Sequence, residues 1–341
     1  MPPDVQSFGT RFRVVKSRIG QIPFNSGNVS TLELPRSFLY KQLCLRLEGS
    51  TTGAAGSTLI TDEQPLELIR NIQVIADGRK LFVSASARQL YRLAQFQHGI
   101  EPFRLGSEVG GAVTRVFRAF IIIDFEAARM QMPADSYLDP RPYEKMELRI
   151  QWGTFNDLIS GAITFAVAPT LDVTLIHTTK GVEIAKFNRL HLSDDIPILA
   201  TSNNLVQRVP RSGLLAHTLL TTLQGTGGRL LGDGVVNFVS VRSDNNFLHF
   251  DRIAWADLLG MSQMDHQMQS RITPTLAAFG ATVGQNPPIG HAMLDYGEDG
   301  MLSSIINTQD LNTLDLVLDV TNVAATDHVQ ALHVFYEPIS G

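Results

Sequence analysis

The sequence contains one cysteine, Cys44, among 341 residues. A single cysteine excludes an internal disulfide framework and any zinc site built from cysteines. Cys44 lies in an alternating strand pattern, which is typical of a half-buried and unreactive side chain. We therefore expect a hydrophobic core, and not covalent or metal cross-links, to hold the fold together.

Long hydrophobic runs are absent as well. The longest strongly apolar block, Ala119–Ile123, is far too short to cross a bilayer. The N-terminus also lacks the apolar core that follows the positive charges of a signal peptide. We therefore expect a soluble product that is made inside a cell.

Charge is scarce and nearly balanced. Charged residues make up 18% of the chain and hydrophobic residues 44%, which is typical of a folded protein. The net charge of −5 argues against a protein that coats nucleic acid, and we predict no sequence-specific nucleic-acid contact. Met1–Gly20 is locally basic, and it is either a solvated edge strand or an arm that touches acidic lipid or nucleic acid. Its charged residues are Arg11, Arg13, Lys16 and Arg18 against Asp4 alone.

Alternation of polar and apolar residues dominates the chain. In Lys145–Trp152 every second residue is apolar, and Leu43–Glu48 and Leu314–Val320 show the same period. A period of two predicts antiparallel sheets with one wet face and one buried face. A parallel α/β sheet would need a helix between most strands, and only two convincing helices are visible. The sequence predicts a mainly β fold.

One stretch occurs twice. Asn71–Gly99 reads as strand, turn, strand and helix, and Asn237–Gln267 in the second half repeats this order. The predicted helices are Ala87–Gln97 and Arg252–Met264. Because an internal repeat defines the architecture, we interpret the chain as a duplication.

The repeat extends over both halves. Leu34–Ser37 matches Val209–Ser212, and each match precedes an apolar strand. Each half has seven or eight strands, with one helix inserted after the fourth. Eight strands in two Greek keys form a jelly roll, so we predict two tandem eight-stranded antiparallel jelly-roll sandwiches. The boundary is expected near Thr179–Gly181, which gives an N-terminal jelly roll over 1–180 and a C-terminal one over 181–341.

These features resemble the double jelly-roll major capsid proteins of the adenovirus and tailless lipid-containing phage lineage. The resemblance covers nearly the whole chain. It depends on the tandem β-sandwich halves, the helix at the same place in each, and the apolar strand that follows Leu32–Ser37. The loops between strands are shorter than those that form tall towers in some members of the family.

The resemblance implies a structural role in a virion. Members of this family form homotrimers whose six jelly rolls imitate a hexagon, and the trimers tile an icosahedral shell, often over an internal membrane. The implied partners are further copies of the chain, minor capsid or vertex proteins, and an internal lipid membrane reached through Met1–Gly20. We expect a capsid protein, made in the host cytoplasm, without enzymatic activity.

The sequence contains no convincing catalytic, cofactor-binding or metal-binding motif, and we predict no such residues and no cofactor. His191 with Asp194 and Asp195 is the tightest metal-like cluster, but loops and strand ends of β proteins collect such residues routinely. The acidic run Asp295–Gly300 lacks the ligand spacing of a calcium loop. Gly225–Gly228 lacks the lysine and hydroxyl residue of a phosphate-binding loop.

Two other functions stay open at this point. A tandem jelly-roll hydrolase or amidase could act on glycans through Asp124 or Glu126 in a cleft between the sandwiches. A carbohydrate-binding or receptor-binding sandwich would need aromatic residues on one exposed face. Trp152 and Trp255 lie at apolar positions of their patterns, which favours the core over a sugar platform.

The polar face of the first predicted helix carries Arg88, Arg92 and Gln95. These side chains are candidates for contacts between subunits. The alternative is that they are solvated.

Overall fold

The computed structural model describes residues 14–53, 58–59, 63–105, 114–127, 133–160, 163–178, 185–225, 230–244, 246–247, 250–266, 288–297, 305–322 and 324–339. Within these ranges the chain is mainly β. The sequence-based prediction of the fold class is therefore confirmed. The predicted boundary at Thr179–Gly181 lies outside the described residues.

Strands fill most of both halves. Those of the first half are β1 (Val14–Pro23), β2 (Val29–Glu33), β3 (Tyr40–Gly53), β4 (Thr58–Leu59), β5 (Ile69–Ala76), β6 (Lys80–Ala85), β7 (Arg104–Leu105), β8 (Thr114–Asp124), β9 (Met146–Trp152), β10 (Ile159–Ser160) and β11 (Ile163–Thr178). Those of the second half are β12 (Phe187–Pro197), β13 (Ser202–Arg208), β14 (Leu214–Gln224), β15 (Leu230–Leu231), β16 (Val236–Ser243), β17 (Asn246–Phe247), β18 (Ile253–Ala254), β19 (His291–Asp295), β20 (Ile306–Asn307), β21 (Leu314–Val320) and β22 (His328–Pro338).

The first sandwich consists of two sheets. One has the order β1-β11-β3-β8-β7, and the other contains β2-β9-β5-β6, with antiparallel neighbours throughout. The eight main strands β1, β2, β3, β5, β6, β8, β9 and β11 alternate between the two sheets in chain order, except at the hairpin from β5 to β6, while β4 and β10 pair separately. This exchange of strands between two facing sheets is the jelly-roll arrangement.

The second sandwich repeats this order. Strands β12, β22, β14 and β19 form one sheet, and β13, β21, β16 and β17 form the other. Strand for strand, β12 therefore corresponds to β1, β14 to β3 and β19 to β8. The prediction of two tandem jelly rolls with eight main antiparallel strands each is confirmed.

The helices of the described residues are α1 (Gln64–Glu67), α2 (Ala87–His98), α3 (Phe155–Leu158) and α4 (Trp255–Asp265), and a 3-10 turn lies at Pro133–Ser136. The two long helices, α2 and α4, occupy equivalent places, as the repeat predicts. The predicted place after the fourth strand is wrong by one, because α2 follows the fifth main strand. The five-residue β2 is too short and too exposed for its alternation to be recognised.

The tight turn between β5 and β6 follows from its sequence. Asp77 and Gly78 both have positive φ, 50° and 66°, as a two-residue hairpin turn of the right twist requires. Asp77 also fixes the end of the neighbouring strand, since its Oδ1 accepts from the backbone N of Lys145 at 2.7 Å.

The main cluster of buried apolar residues includes residues of both sandwiches. Leu43, Leu45 and Leu47 of β3 are fully buried, as their alternation predicts. Trp152 and Trp255 are also buried, and their indole nitrogens donate to Ser30 and Asp233, both at 3.1 Å. Buried tryptophans with satisfied N–H groups stabilise a core.

Candidate functional site: the junction between the sandwiches

The two sandwiches are joined through a shared sheet. Strand β6 of the first runs parallel to β12 of the second, with Val83 opposite His191 and Ser84 opposite Leu192. The two sheets that meet there form one ten-stranded sheet. Its parallel pair is an exception to the antiparallel prediction, and it covers an edge of each sandwich that would otherwise be open to other chains.

Side chains reinforce this seam. Lys80 at the start of β6 forms an ion pair with Glu337 of β22. On the other side, Gln89 of α2 donates from Nε2 to Ser193 Oγ of β12 at 2.8 Å. The contacts therefore hold both the strand and the helix of the first sandwich against the second.

Helix α2 is well specified by its own sequence. Ser86 Oγ accepts from the backbone N of Gln89 at 3.2 Å, and Gln89 Oε1 accepts from the backbone N of Ser86 at 3.0 Å. This is a capping box. At the other end Gly99, with φ 69°, provides a left-handed cap that residues with a side chain rarely adopt.

The arginines of α2 face the junction and not solvent. Arg88 and Arg92 are 3% and 7% exposed, and both contact the fully buried carboxylate of Glu63. Arg88 Nε lies 3.1 Å from Glu63 Oε2 without the alignment of a hydrogen bond. Arg92 also lies 3.4 Å from Glu101, and its Nη1 donates to Gln95.

The interpretation of Arg88, Arg92 and Gln95 as subunit contacts or solvated residues is therefore wrong. A helical pattern reveals a polar stripe, but it does not reveal the buried acid that the stripe will meet. Buried charges require such partners, because an unpaired charge in the interior is very costly.

The second sandwich contributes His291 to this cluster. Its Nε2 lies 3.6 Å from Glu63 Oε2, and its Nδ1 lies 3.1 Å from Thr221 Oγ1. The rings of Phe96 and His266 are nearly perpendicular, with a centroid distance of 5.8 Å. Glu63, Arg88, Arg92 and His291, which we name the junction cluster, thus link the two halves.

The protonation states in the junction cluster follow from burial and neighbours. Burial opposes the charge of Glu63, but Arg92, His291 and Arg88 together hold the pKa of its carboxyl well below the ordinary value. Burial lowers the pKa of His291 and outweighs the effect of Glu63. At neutral pH the cluster therefore contains an ionised Glu63 and a neutral His291.

The metal-like cluster of the sequence is separated in the structure. His191, Asp194 and Asp195 lie on β12, where residues three apart point to opposite faces and residues four apart are ~13 Å apart. Asp194 lies 3.5 Å from His333, and Asp195 lies 3.7 Å from His328. In the described part of the chain, no group of three or more His, Cys, Asp or Glu side chains could hold a metal ion.

His191 itself is fully buried at the seam. Neither ring nitrogen has a hydrogen-bond partner among the described residues. Burial, with smaller effects from Arg189 and His217, lowers the pKa of His191 well below its ordinary value. The imidazole therefore stays neutral in the folded protein.

The two acids named for a glycan hydrolase engage in contacts within the chain. Asp124 is buried and lies 2.7 Å from Gln42 Nε2 and 2.6 Å from His98 Nε2. Glu126 pairs with Lys41 at 2.9 Å. Arg189 of the second sandwich donates to the backbone carbonyls of both acids, so these residues belong to the junction as well.

The remaining candidate groups are placed as follows. Burial raises the pKa of the Cys44 thiol to about 11, and Asp124 adds to this effect, so the thiol is protonated and unreactive at neutral pH. Asp295 is buried and accepts from the backbone N of Gly297 at 3.0 Å. The rest of the acidic run, residues 298–300, and most of Gly225–Gly228 lie outside the described residues.

The basic N-terminal segment is described from Val14 onward. It forms β1, an edge strand whose described neighbour in the sheet is β11. Arg18 of β1 pairs with Asp172 at 2.6 Å. In the described ranges, the chain has no helix that is long and apolar enough to span a membrane.

Comparison by sequence finds no matching protein-family model, and no curated protein matches the chain either. Comparison by structure does find relatives. The major capsid protein of Sulfolobus Turreted Icosahedral Virus superposes with a TM-score of 0.73 at 13% identity, covering 96% of this chain and 97% of that one. The major capsid protein P2 of bacteriophage PM2 gives a TM-score of 0.62 at 13% identity, covering 96% and 98%.

A third similar structure is the PBCV-1 virus capsid, with a TM-score of 0.60 at 10% identity and coverage of 96% of this chain and 94% of that one. Identities this low establish the fold. The chain has the double jelly-roll fold of these major capsid proteins. This confirms the structural side of the resemblance seen in the sequence.

Proposed function

We propose that the chain is a viral major capsid protein, and that the copies form pseudo-hexameric homotrimers that tile an icosahedral shell. The observation that carries the proposal is the likeness of nearly the whole chain, 96%, to capsid subunits of three viruses. The proposal places the protein in the virion and assigns its synthesis to the host cytoplasm. It also divides the chain into jelly rolls over 1–180 and 181–341.

The junction supports this role physically. A shell subunit must keep its two sandwiches in a fixed relative position while it contacts its neighbours. The shared ten-stranded sheet and the buried junction cluster both resist relative motion of the halves. The small net charge of −5 keeps the repulsion between closely packed copies low.

We favour a structural role over glycan hydrolysis. The two acids proposed for hydrolysis, Asp124 and Glu126, are held by Gln42, His98 and Lys41. The sugar-binding alternative loses its candidates too, since Trp152 and Trp255 lie in the core.

The test is the mass of the purified chain in solution, followed by electron microscopy of its assemblies. We expect a mass of three chains and, at high concentration, sheets or closed shells. A chain that stays monomeric over a wide range of concentration and salt contradicts the proposal. Turnover of glycans that Asp124→Ala abolishes would support the hydrolase instead.

Contact with an internal membrane is a separate part of the proposal. Its support is the local positive charge of Met1–Gly20. The experiment compares vesicle binding of the full chain with that of a chain without residues 1–13. This truncation leaves β1 intact, because β1 begins at Val14. We expect sedimentation with anionic vesicles to fall on truncation. Equal binding of both chains contradicts membrane contact through this segment.

Minor capsid or vertex proteins are the other proposed partners. A closed shell of trimers needs different subunits at its fivefold corners, because a hexagonal tile cannot fill a pentagonal position. Purified chain alone is expected to form sheets more readily than complete shells, and electron microscopy distinguishes the two.

A further inference from the structure

The two equivalent helices have opposite surroundings. Numbering from the residue before each helix, Ser86 and Ala254, aligns Gln89 with Asp257. In the same way Leu93 aligns with Met261, and Phe96 with Met264. The three residues of α2 are buried, whereas Asp257 is exposed and Met261 and Met264 are 38% and 79% exposed.

The burial of α2 depends in part on the second sandwich. Gln89 binds Ser193 of β12, and Phe96 contacts His266 at the end of α4. We name the corresponding side of α4 the α4 surface and define it by Asp257, Met261 and Met264. Among the described residues, no part of another sandwich contacts it. Exposed methionines next to one another are typical of contact surfaces.

The duplication indicates what covers the α4 surface. Strand β12, which meets α2, corresponds to β1, and both strands end in Ile-Pro, at Pro197 and Pro23. This alignment matches Ser193, the partner of Gln89, with Ile19. In the described part of the chain β1 pairs only with β11, so its outer side is available for contact there.

Charge complementarity supports this match. Helix α4 contains Asp257 and Asp265 and no lysine or arginine. Strand β1 contains no acid and two basic residues, Lys16 and Arg18, which lie three and one residues before Ile19. Arg18 also pairs with Asp172 of its own sandwich, so Lys16 is the basic residue tested below. Within the chain, Gln89 of α2 contacts Ser193 of β12. In the equivalent contact between copies, the acidic Asp257 of α4 would meet the basic strand β1.

We propose that the α4 surface is covered by the first sandwich of a second copy of the chain, with β1 of that copy against Asp257, Met261 and Met264. This inference rests on the proposed function, since it presupposes assembly. The contact joins the second sandwich of one copy to the first of the next, which is a head-to-tail interface. Such interfaces close into rings when the rotation per copy divides the full turn.

The contact between copies differs from the seam in one respect. Strand β6 of the first sandwich is continuous. At the equivalent place in the second sandwich there are two short strands, β17 and β18, and Arg252 between them has φ 51°. An interrupted edge disfavours continuous strand pairing between chains. The interface is therefore carried by side chains of α4 and not by an extended sheet.

The first experiment compares Met264→Glu with Leu199→Glu by sedimentation of the purified chain. Leu199 is 83% exposed and lies between β12 and β13, so it is a matched control. We expect Met264→Glu to weaken trimer formation by at least about tenfold, because a buried charge would replace an apolar contact. Leu199→Glu is expected to assemble like the unchanged chain.

The outcomes separate this inference from the proposed function. If the unchanged chain is monomeric, both are overturned. If it assembles and Met264→Glu assembles equally well, only the inference is overturned. If residues 267–287 of the same chain cover α4, Met264→Glu lowers the thermal stability of the dissociated subunit and not its tendency to assemble, which also overturns the inference.

A charge exchange tests the identity of the partner. Asp257→Lys is expected to weaken assembly, and the second change Lys16→Asp is expected to restore it. Arg79→Asp is the control for the second change, since Arg79 is exposed in the hairpin between β5 and β6 and far along the chain from β1. Restoration by Arg79→Asp as complete as that by Lys16→Asp overturns the assignment of β1.

Cross-linking gives an answer that does not depend on affinity. In a chain with Cys44→Ser, Met264→Cys is placed in one preparation and Lys16→Cys in another. After mixing, a short bifunctional maleimide is expected to join the two different chains. Cross-linking that fails in mixtures shown to contain trimers overturns the inference.

Discussion

Helices α2 and α4 occupy the same place in two copies of one fold, and they are built in opposite ways. Helix α2 carries two arginines and three glutamines, yet the residues from Ala87 to Phe96 are buried. Helix α4 is more apolar, yet its buried residues are Trp255, Leu258 and Ser262, and it exposes two methionines. The neighbouring sandwich, and not the amphipathicity of a helix, therefore decides which of its faces is buried.

The N-termini of the two helices also differ in how they are capped. The capping box of Ser86 and Gln89 specifies where α2 begins, whereas Ala254 offers no side chain to cap α4. Helix α4 instead depends on the burial of Trp255 and Leu258 against its own sandwich. Local sequence thus determines α2, and tertiary packing determines α4.

The strongest destabilisation is predicted for a substitution in the junction cluster at α2, compared with one at the same level of α4. Glu63→Ala leaves Arg88 and Arg92 buried without their shared acid, and we expect a loss of ~3–5 kcal/mol in the free energy of unfolding. Asp257→Ala in the exposed first turn of α4 is expected to cost under ~1 kcal/mol in the dissociated chain. Denaturant unfolding of both variants measures the difference. Equal losses would contradict the burial of charge at α2.

A second prediction compares the aligned apolar positions Leu93 of α2 and Met261 of α4. Leu93→Ala removes a buried side chain, and we expect a loss of ~2–5 kcal/mol in the free energy of unfolding. Met261→Ala is expected to change this free energy by ~0.5 kcal/mol or less at concentrations where the chain is dissociated. At assembling concentrations Met261→Ala is expected to lower trimer formation instead. A Met261→Ala that destabilises the single chain as much as Leu93→Ala would show that α4 is covered from within.

The weakest of these effects is predicted for the pH dependence of the free energy of unfolding, to which His191 and His98 contribute with opposite signs. Burial lowers the pKa of His191, so the folded chain keeps this ring neutral while the unfolded chain takes up a proton below about pH 6.5. Stability therefore falls with decreasing pH below that value, by up to ~1.4 kcal/mol per pH unit. His291 acts in the same direction.

His98 at the end of α2 acts in the other direction. Its hydrogen bond with Asp124 raises its pKa. This contribution is fully present below about pH 6.5 and is lost as the pH rises through the pKa of the folded state. We expect His191→Phe to flatten the loss of unfolding free energy between pH 7 and pH 5, and His98→Gln to steepen it. Unchanged slopes in both variants would contradict the assignment.

Sequence alone predicted the parts of the fold that depend on period and repeat. Alternation in Lys145–Trp152 identified a strand observed at Met146–Trp152, and the predicted helix Ala87–Gln97 is observed at Ala87–His98. The repeat placed the second helix correctly, although its start shifted from Arg252 to Trp255, because Ile253 and Ala254 still pair with β16. These features are local, so local sequence is enough to reveal them.

The junction could not be predicted in this way. Glu63 lies in a short polar stretch before α1, and His291 lies at the start of β19, so no sequence spacing connects them. The only signal in the sequence was an excess of positive charge on α2 without an acid four residues away. Such an excess predicts that a distant acid is needed, but it does not say which one.

The parallel seam between β6 and β12 also has a consequence for synthesis. The described strands of the first sandwich all precede residue 179, so this sandwich can fold while the edge of β6 still lacks β12. At ~5–20 residues per second, translation leaves that edge uncovered for roughly ten seconds or more. Expressed alone, residues 1–178 are expected to self-associate more strongly than the full chain, and light scattering of the two would show it. Covering of this edge by the chain's own second half during translation would then protect each new subunit from aggregation before any shell is built.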